Sequence, residues 1–522
     1  MSELIVDYVS PDRLDDAPEG ERRRPAMPPM GISLLKAMTP DVLEGHGITA
    51  RCWDEMTMGR YDVAVQRPDI LCLSALTTAA ARAYRLADEA KQVIGAAGAR
   101  IMTAMGGIHA TALPREALSH VDAVAVGETA PSTLKALLAW LLQHRSSAGN
   151  ERQAFRHPAS ANIVEERPLP DWSWLPHKGY LGNWSMQTSV GCPFNCSFCS
   201  VTYVYGSTHR PVAYDLIERE AIRVGRNGLG GTGVVVDDNF LPNKNGEHAR
   251  RVCEIFRRHG VKWLTELTAM TLYNNQDELI PLFARSGCKG LYIGVESITG
   301  GLGKSMETSR YEELIRRCHD NDIAVLGAFV FGVDDSERPD VFERTAEWGV
   351  KAKLDLAQYS INTPEPGARD FEAAVRGNLI TDWNWENYDA AHPVRRFPHI
   401  SQEQMYHGLR DAFGWFYSAS SAWRRLSPSI VDSVKWRYWH RSLLMGALNK
   451  YLSVTQKRWN LRSVYGEYVG RRIERPNALV QEQFTPDMPH EQYDTKTRNR
   501  VLAGLIPDPL EQVIPDVGVT AA

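Results

Sequence analysis

The sequence predicts an α/β protein made of two successive parallel-sheet units and a closing, mostly helical region. Three observations carry this reading. Short apolar segments alternate with amphipathic helical stretches over residues 1–145, the alternation returns and becomes regular from Trp184, and past Pro364 it gives way to helix without strands. A length of 522 residues suits two or three domains better than one.

In the first unit the expected strands are Leu4–Val9, Ile48–Trp53, Ile70–Leu76, Arg100–Met105 and Asp122–Val126, with helices at Ala79–Ala97 and Pro131–Leu142. Gly106-Gly107 and Gly127 directly follow two of those strands. Open α/β sheets bind ligands at the carboxyl ends of their strands, so these glycines stand where a cofactor would lie. Residues 146–183, rich in Ser, Pro and Trp, are expected to form a linker.

Over residues 184–372 strands are expected at Ser185–Val190, Gly233–Asp237, Lys262–Thr268, Gly290–Val295, Ala324–Phe331 and Leu354–Ile361. Helices fill the gaps at Tyr214–Val224, Glu247–His259, Asp277–Ser286, Tyr311–Asn321 and Arg338–Trp348. Six βα units in a row form a partial (β/α)6 barrel, with chemistry at the strands' carboxyl ends. Residues 373–522 are expected to be helical, notably Gln402–Leu426 and Ile430–Leu452, ending in an extended polar tail.

Composition excludes some functions. With 43% hydrophobic residues, 23% charged residues and a net charge of -4, the chain lacks the basic excess that nucleic-acid binding needs. No apolar run reaches the ~18 residues of a membrane span, and the N-terminus is not a signal peptide, so a cytoplasmic location is expected. Of eight cysteines, Cys52, Cys72, Cys253, Cys288 and Cys318 are scattered singly, whereas Cys192, Cys196 and Cys199 lie together. That pattern fits a reduced protein with one clustered metal site, not a disulfide scaffold.

The clustered cysteines have Cys-x3-Cys-x2-Cys spacing in Gly191-Cys192-Pro193-Phe194-Asn195-Cys196-Ser197-Phe198-Cys199, just after the first barrel strand. Three thiolates this close can hold three corners of a cubane cluster and leave the fourth iron open to a small chelating molecule. The alternatives are a zinc site completed by a distant His or Cys, since structural zinc normally takes four protein ligands, and three unrelated cysteines.

This stretch resembles the radical S-adenosylmethionine (SAM) superfamily, whose signature has an aromatic residue before the last cysteine, here Phe198. The resemblance implies a [4Fe–4S] cluster whose open iron binds the amino and carboxylate groups of SAM, with Phe198 near the adenine. It further implies SAM contacts from Asp238, in Val234-Val235-Val236-Asp237-Asp238-Asn239, and from Glu296, in Gly294-Val295-Glu296-Ser297. The first of these segments departs from the family's usual Gly-Gly-Glu form. Glu266, at the end of the third barrel strand, can face the same cavity. A rim salt bridge is the alternative role for each carboxylate.

The N-terminal unit resembles the Rossmann-like (flavodoxin-like) cobalamin-binding domain that precedes many radical SAM domains. The matching residues are Ser74-Ala75-Leu76-Thr77-Thr78, Gly106-Gly107-Ile108-His109-Ala110-Thr111 and Val126-Gly127-Glu128-Thr129. From these, Ser74, Thr77, Gly106, Gly107, His109, Gly127 and Glu128 are implied to contact cobalamin. Domains that ligate cobalt carry an Asp-x-His-x-x-Gly element after the first strand. This chain has Ser10-Pro11-Asp12-Arg13-Leu14-Asp15 there, so the cobalamin is expected base-off with no protein histidine below the cobalt. A domain that keeps the fold without the cofactor is the alternative.

Beyond the barrel, Tyr359–Gly367 and Trp385–His392 also recur in this B12-type group, and Tyr388, Asp389 and His392 can face the substrate or form a buried surface between domains. Between Ser433 and Tyr465 there is no acidic residue, while Lys435, Arg437, Arg441, Lys450, Lys457, Arg458 and Arg462 are basic. That stretch suits a phosphorylated or lipid-linked substrate or peripheral contact with a membrane surface, or else is a solvated helix face.

The resemblance implies a cobalamin-dependent radical SAM C-methyltransferase acting on an unactivated carbon of a specialised-metabolite or lipid intermediate, supplied with electrons by a donor such as flavodoxin or ferredoxin. Two alternatives stand beside it: oxidative cyclisation or rearrangement without methyl transfer, and an iron–sulfur electron-transfer or redox-sensing protein.

Overall fold

The structure is a computed structural model that describes residues 3–12, 27–146, 151–156, 164, 167–176, 180, 182–226, 228–241, 246–300, 306–432, 473–474, 479–480 and 519–521. The basic stretch Ser433–Tyr465, the expected helix Ile430–Leu452 beyond residue 432, and Arg13-Leu14-Asp15 lie outside the described residues.

The N-terminal sheet contains β1 (Glu3–Ser10), β2 (Val42–Leu43), β3 (His46–Asp54), β4 (Ile70–Ser74), β5 (Met102–Gly106), β6 (Ala123–Val126) and β7 (Gln153–Arg156). A short strand at Val519–Ala521 pairs with β7 at one edge. The order runs β7-β6-β5-β4-β1-β3-β2, parallel throughout except for β2 against β3. The run β3-β1-β4-β5-β6 is the doubly wound flavodoxin-like order, with its switch point between β1 and β4. Central strands of such a sheet are covered on both faces, which is why Ile70-Leu71-Cys72-Leu73 reads as one continuous apolar run. The sheet extends past the expected domain limit: β7 lies inside the 146–183 segment expected as a linker and pairs in parallel with β6. Its four residues are too short and too polar to announce a strand, and the open edge of β6 supplies the partner.

The second sheet holds β8 (Ser185–Met186), β11 (Thr232–Val235), β12 (Lys262–Leu267), β13 (Cys288–Glu296), β14 (Ala324–Phe331) and β15 (Leu356–Ile361). Its order, β15-β14-β13-β12-β11-β8, is sequential and parallel, an open half-barrel with helices outside. The alternation is visible along β12, where Trp263, Thr265 and Leu267 pack outward into the helical layer while Glu266 stays accessible on the opposite face.

The expected first barrel strand, Ser185–Val190, is split. Ser185–Met186 joins the barrel, and Ser189–Val190 (β9) turns away to pair antiparallel with Arg210–Pro211 (β10). The physical cause is Asp237. Its buried carboxylate accepts the backbone N–H of Thr188 (2.5 Å) and Ser189 (3.1 Å), and also Ser189 Oγ (2.8 Å), taking the place of a strand ladder.

The C-terminal region does not begin as a separate body. Phe371, Ala374, Ile380, Trp385, Tyr388 and Val394 pack into the same apolar core as Val9, Leu71, Leu73 and Met105 of the N-terminal sheet. Helices Gln402–Phe416 and Ala419–Asp432 follow, the first bounded by a capping box between Ser401 and Gln404.

Candidate active site at the junction of the two sheets

The three cysteines of the motif lie on the loop that follows β9. Cys192 is buried and Cys196 and Cys199 are half-buried; none of the three is in a disulfide. Consecutive residues after β11 hold this loop from below. Asp237 takes Thr188 and Ser189, Asp238 Oδ2 accepts Gly191 N at 2.7 Å, and Asn239 Nδ2 faces Cys192 Sγ at 3.9 Å. From the other side, Arg369 donates to Asn195 O (2.7 Å) and Asp370 N to Ser197 O (3.0 Å). Among the described residues, the three cysteines included, no group of three or more His, Cys, Asp or Glu side chains is gathered tightly enough to hold a single metal ion. What fits a cubane cluster with an open iron is the chemistry and spacing of the three thiols on one loop.

Above the loop, the half-barrel's inner face carries the predicted carboxylates. Glu266 at the end of β12 and Glu296 at the end of β13 flank Tyr292: burial raises the Tyr292 phenol, and the two carboxylates raise it further. Glu296 is a non-glycine residue at φ 64, where the β13–β14 register shifts. Such a bulge re-aims one side chain at a strand end. The Glu296 carboxylate folds over Gly294, where a Cβ would come within 2.5 Å of its Oε1. Burial, with help from Asp237 and Glu128, pushes the Asp238 carboxyl up to about 6.

Between the sheets lies a cavity of about 370 Å³. One wall is the switch point and glycine loops of the N-terminal sheet: Tyr8, Ser74, Gly106, Gly107, Gly127 and Glu128. The other belongs to the barrel and includes Gln187, Tyr205 and Asp238. Gly107 sits at φ 96, ψ -174, and a Cβ there would lie 2.7 Å from Ala75 O, so the two loops can approach this closely only with glycine. Thr111 Oγ1 accepts Gly127 N at 2.9 Å and ties the two glycine loops together. Glu128 pairs with Arg210 at 2.6 Å, an ion pair from the N-terminal sheet to β10. A glycine cradle at the carboxyl ends of parallel strands, walled by apolar side chains, fits a bulky corrin and its tail.

Not every predicted contact reaches this site. His109 is wholly buried away from the cavity: its Nε2 meets Tyr84 Oη (2.9 Å) and Glu116 Oε2 (3.1 Å), and Trp385 Nε1 donates to Glu116 Oε1 (3.0 Å). Its place on the helix after Gly107 points it into the core, so the cobalamin contact expected of it gives way to a clamp between the N-terminal sheet and the C-terminal region. Thr77 is likewise buried and is not on the cavity wall. Tyr388 packs in that same core, its hydroxyl donating to Asp382 O at 3.1 Å. Asp389 accepts His392 N (3.0 Å) and meets His392 Nδ1 (2.9 Å) in a local turn. Tyr388 thus belongs to the buried surface between the N-terminal sheet and the C-terminal region, while Asp389 and His392 contact each other.

The sequence reading passed over several residues. Arg167, in the segment expected as linker, lines the cavity and donates to Gln187 Oε1 at 2.6 Å. Glu365 lies in the Pro364-Glu365-Pro366-Gly367 stretch; burial pushes its carboxyl up to about 7, and Asp389 adds to the shift. The proline-flanked motif was the signal for Glu365, whereas nothing local marks Arg167. Asp237 and Asn239 sat beside a predicted contact without being singled out.

Among the described residues no helix is long and apolar enough to cross a membrane. Residues 23–138 match the B12 binding domain model, and residues 186–345 match the Radical SAM superfamily model. An uncharacterized methyltransferase of Pyrococcus horikoshii is 29% identical over 75% of this chain and 88% of its own length. The bacteriochlorophyllide d C-12(1)-methyltransferase of Chlorobaculum tepidum is 27% identical over 74% of this chain and 82% of its own. The solved structure of the radical SAM methyltransferase TsrM from Kitasatospora setae, with cobalamin and a [4Fe–4S] cluster bound, shares the fold with a TM-score of 0.52. It is 17% identical over 72% of this chain and 79% of that one.

Proposed function

We propose that this chain, an enzyme of the radical SAM family that carries an N-terminal B12-binding domain, is a C-methyltransferase acting on an unactivated carbon of a specialised-metabolite or lipid intermediate. Its cofactors are a [4Fe–4S] cluster, SAM and cobalamin. One observation carries the reading: a single cavity is walled on one side by the glycine loops and on the other by Asp238, whose carboxylate also holds the cysteine loop. A methyl carrier and a radical generator would thus open onto the same cavity.

When bound, the cofactors supply reductive cleavage of SAM and a transferable methyl group. The chain's own residues bind, orient and exclude water. Cys192, Cys196 and Cys199 hold the cluster. Asp238, with one oxygen on Gly191 N, would offer the other to the ammonium of SAM, Glu266 and Glu296 would contact its sugar and methionyl groups, and Phe198 would pack near the adenine. Ser74, Gly106, Gly107, Gly127 and Glu128 cradle the corrin. The Glu128–Arg210 pair and the Glu116–Trp385 contact tie one unit to the other and would help to exclude water from between them. A one-electron donor of the flavodoxin or ferredoxin class feeds the site.

The test is anaerobic turnover of the reconstituted enzyme, loaded with hydroxocobalamin and a low-potential reductant, against panels of polycyclic lipids and tetrapyrroles. Formation of S-adenosylhomocysteine together with 5′-deoxyadenosine and a product heavier by one methyl supports the reading. A product that has lost hydrogens without gaining carbon assigns ring closure instead. Absence of SAM cleavage under reducing conditions would leave only electron transfer.

A further inference from the structure

We propose that Asn239 is a positioning residue that sets the reduction potential of the cluster through the thiolate of Cys192, an inference that rests on the assignment of the cluster to the three cysteines. The side chain is buried, at 3% exposure, directly after the two aspartates that hold the cysteine loop. Its amide orientation is fixed by its partners. Oδ1 accepts the backbone N–H of Leu241 (3.1 Å) and of Thr268 (3.3 Å), so the amino group must point the other way. There one N–H donates to Thr268 Oγ1 at 3.0 Å, and Nδ2 stands 3.9 Å from Cys192 Sγ. A flipped amide would set an oxygen against the thiolate and Nδ2 against two backbone donors; four contacts exclude it.

Cys192 is the most buried of the three ligands, whereas Cys196 and Cys199 are half-buried. In a medium of low dielectric a donor facing a thiolate counts for more than it would near water. An N–H directed at a ligand sulfur withdraws electron density and favours the reduced cluster, which carries one more negative charge. The cluster accepts one electron from the external donor, and that electron later passes into the sulfonium C–S bond of SAM to give methionine and the 5′-deoxyadenosyl radical. Asn239 exchanges no proton and no electron in either step. It moves only the equilibrium of the first. The neutral amide also answers why two carboxylates can stand before it in the chain without a third: an aspartate at 239 would oppose reduction.

The experiment is an EPR-monitored redox titration of the anaerobically reconstituted full-length enzyme without SAM, with iron and sulfide content measured on each sample. Asn239→Leu keeps the size and removes the donor; Asn239→Asp keeps an acceptor for Leu241 N and Thr268 N and sets an oxygen against the sulfur. Thr268→Val removes a partner of Asn239 without touching the thiolate contact. We expect Asn239→Leu to lose about tenfold in the equilibrium constant for reduction, about 59 mV for a one-electron couple, Asn239→Asp to lose more, and Thr268→Val to match the wild type. Equal midpoints for wild type and both Asn239 variants at equal iron content overturn the proposal. So does a shift in Thr268→Val as large as in Asn239→Leu, or failure of both Asn239 variants to take up iron, since either makes the residue a loop support. A wild type that takes up no iron removes the cluster assignment itself, an outcome distinct from all of these.

Discussion

Replacing Gly107 by alanine tests the cobalamin cradle at its tightest point. Gly107 holds φ 96 and ψ -174, a region almost closed to residues with a side chain, and strain there costs on the order of 1–3 kcal/mol. The added Cβ would also lie 2.7 Å from Ala75 O and 3.2 Å from Ala75 N. These are backbone atoms, so no rotamer relieves the contact; the β4 loop bearing Ser74 must shift away from the β5 loop. Overpacking of this kind costs a further 1–3 kcal/mol or so. If about 3 kcal/mol falls on the cofactor-binding arrangement, affinity for the corrin drops on the order of a hundredfold. The assay is titration of the cluster-reconstituted protein with hydroxocobalamin, followed by the visible spectrum retained after desalting. Gly98→Ala is the control, since Gly98 also has positive φ (77) but has nothing within 4 Å of its added Cβ. Corrin affinity in Gly107→Ala within twofold of wild type would refute the reasoning and move the cofactor away from this loop.

Three further outcomes are expected. Serine in place of Cys192, Cys196 or Cys199 abolishes cluster uptake, read as iron and sulfide content, while far-ultraviolet circular dichroism stays that of the wild type. Glu116→Gln weakens the clamp on His109, Tyr84 and Trp385 by about 1–3 kcal/mol at neutral pH, read by thermal melting and limited proteolysis. Burial alone would raise the Glu116 carboxyl, but hydrogen bonds from His109, Trp385 and Tyr84 outweigh it and hold the group below its usual 4.5. A carboxyl held low in the fold adds stability above that pH and loses it as pH falls through the folded value, so the two proteins converge in acid. For Asp238, whose carboxyl burial raises to about 6, the pH dependence falls on ligand binding and lies at a higher pH. Only the anion pairs with the ammonium of SAM, so SAM affinity measured by equilibrium dialysis falls as pH drops through about 6, and Asp238→Asn removes that dependence. A flat wild-type profile would take Asp238 out of the SAM site.

What the sequence determined by itself is what short range controls. The twofold and 3.6-fold hydrophobic periods marked Ala324–Phe331, Tyr214–Val224 and Glu247–His259 at the residues where the structure has them. The cysteine spacing identified a three-thiolate loop because the ligands of that site are neighbours in the chain, and Gly107 was marked because a glycine after a strand has a local conformational meaning. Tertiary structure decided everything whose partner is distant. Whether His109 faced a cofactor or a core depended on Tyr84 and on Trp385, which arrives from beyond the barrel. Whether Ser185–Val190 was one strand depended on Asp237, about fifty residues downstream, outbidding the ladder for the N–H groups of Thr188 and Ser189. The same holds for Gln153–Arg156, a strand only because β6 had an open edge, and for Tyr388, core only because it packs among residues of the N-terminal unit. Each of these residues carries several hydrogen-bonding or packing options of similar free energy. The choice among them is made by whichever group the fold brings within reach, and no periodicity in the chain records that.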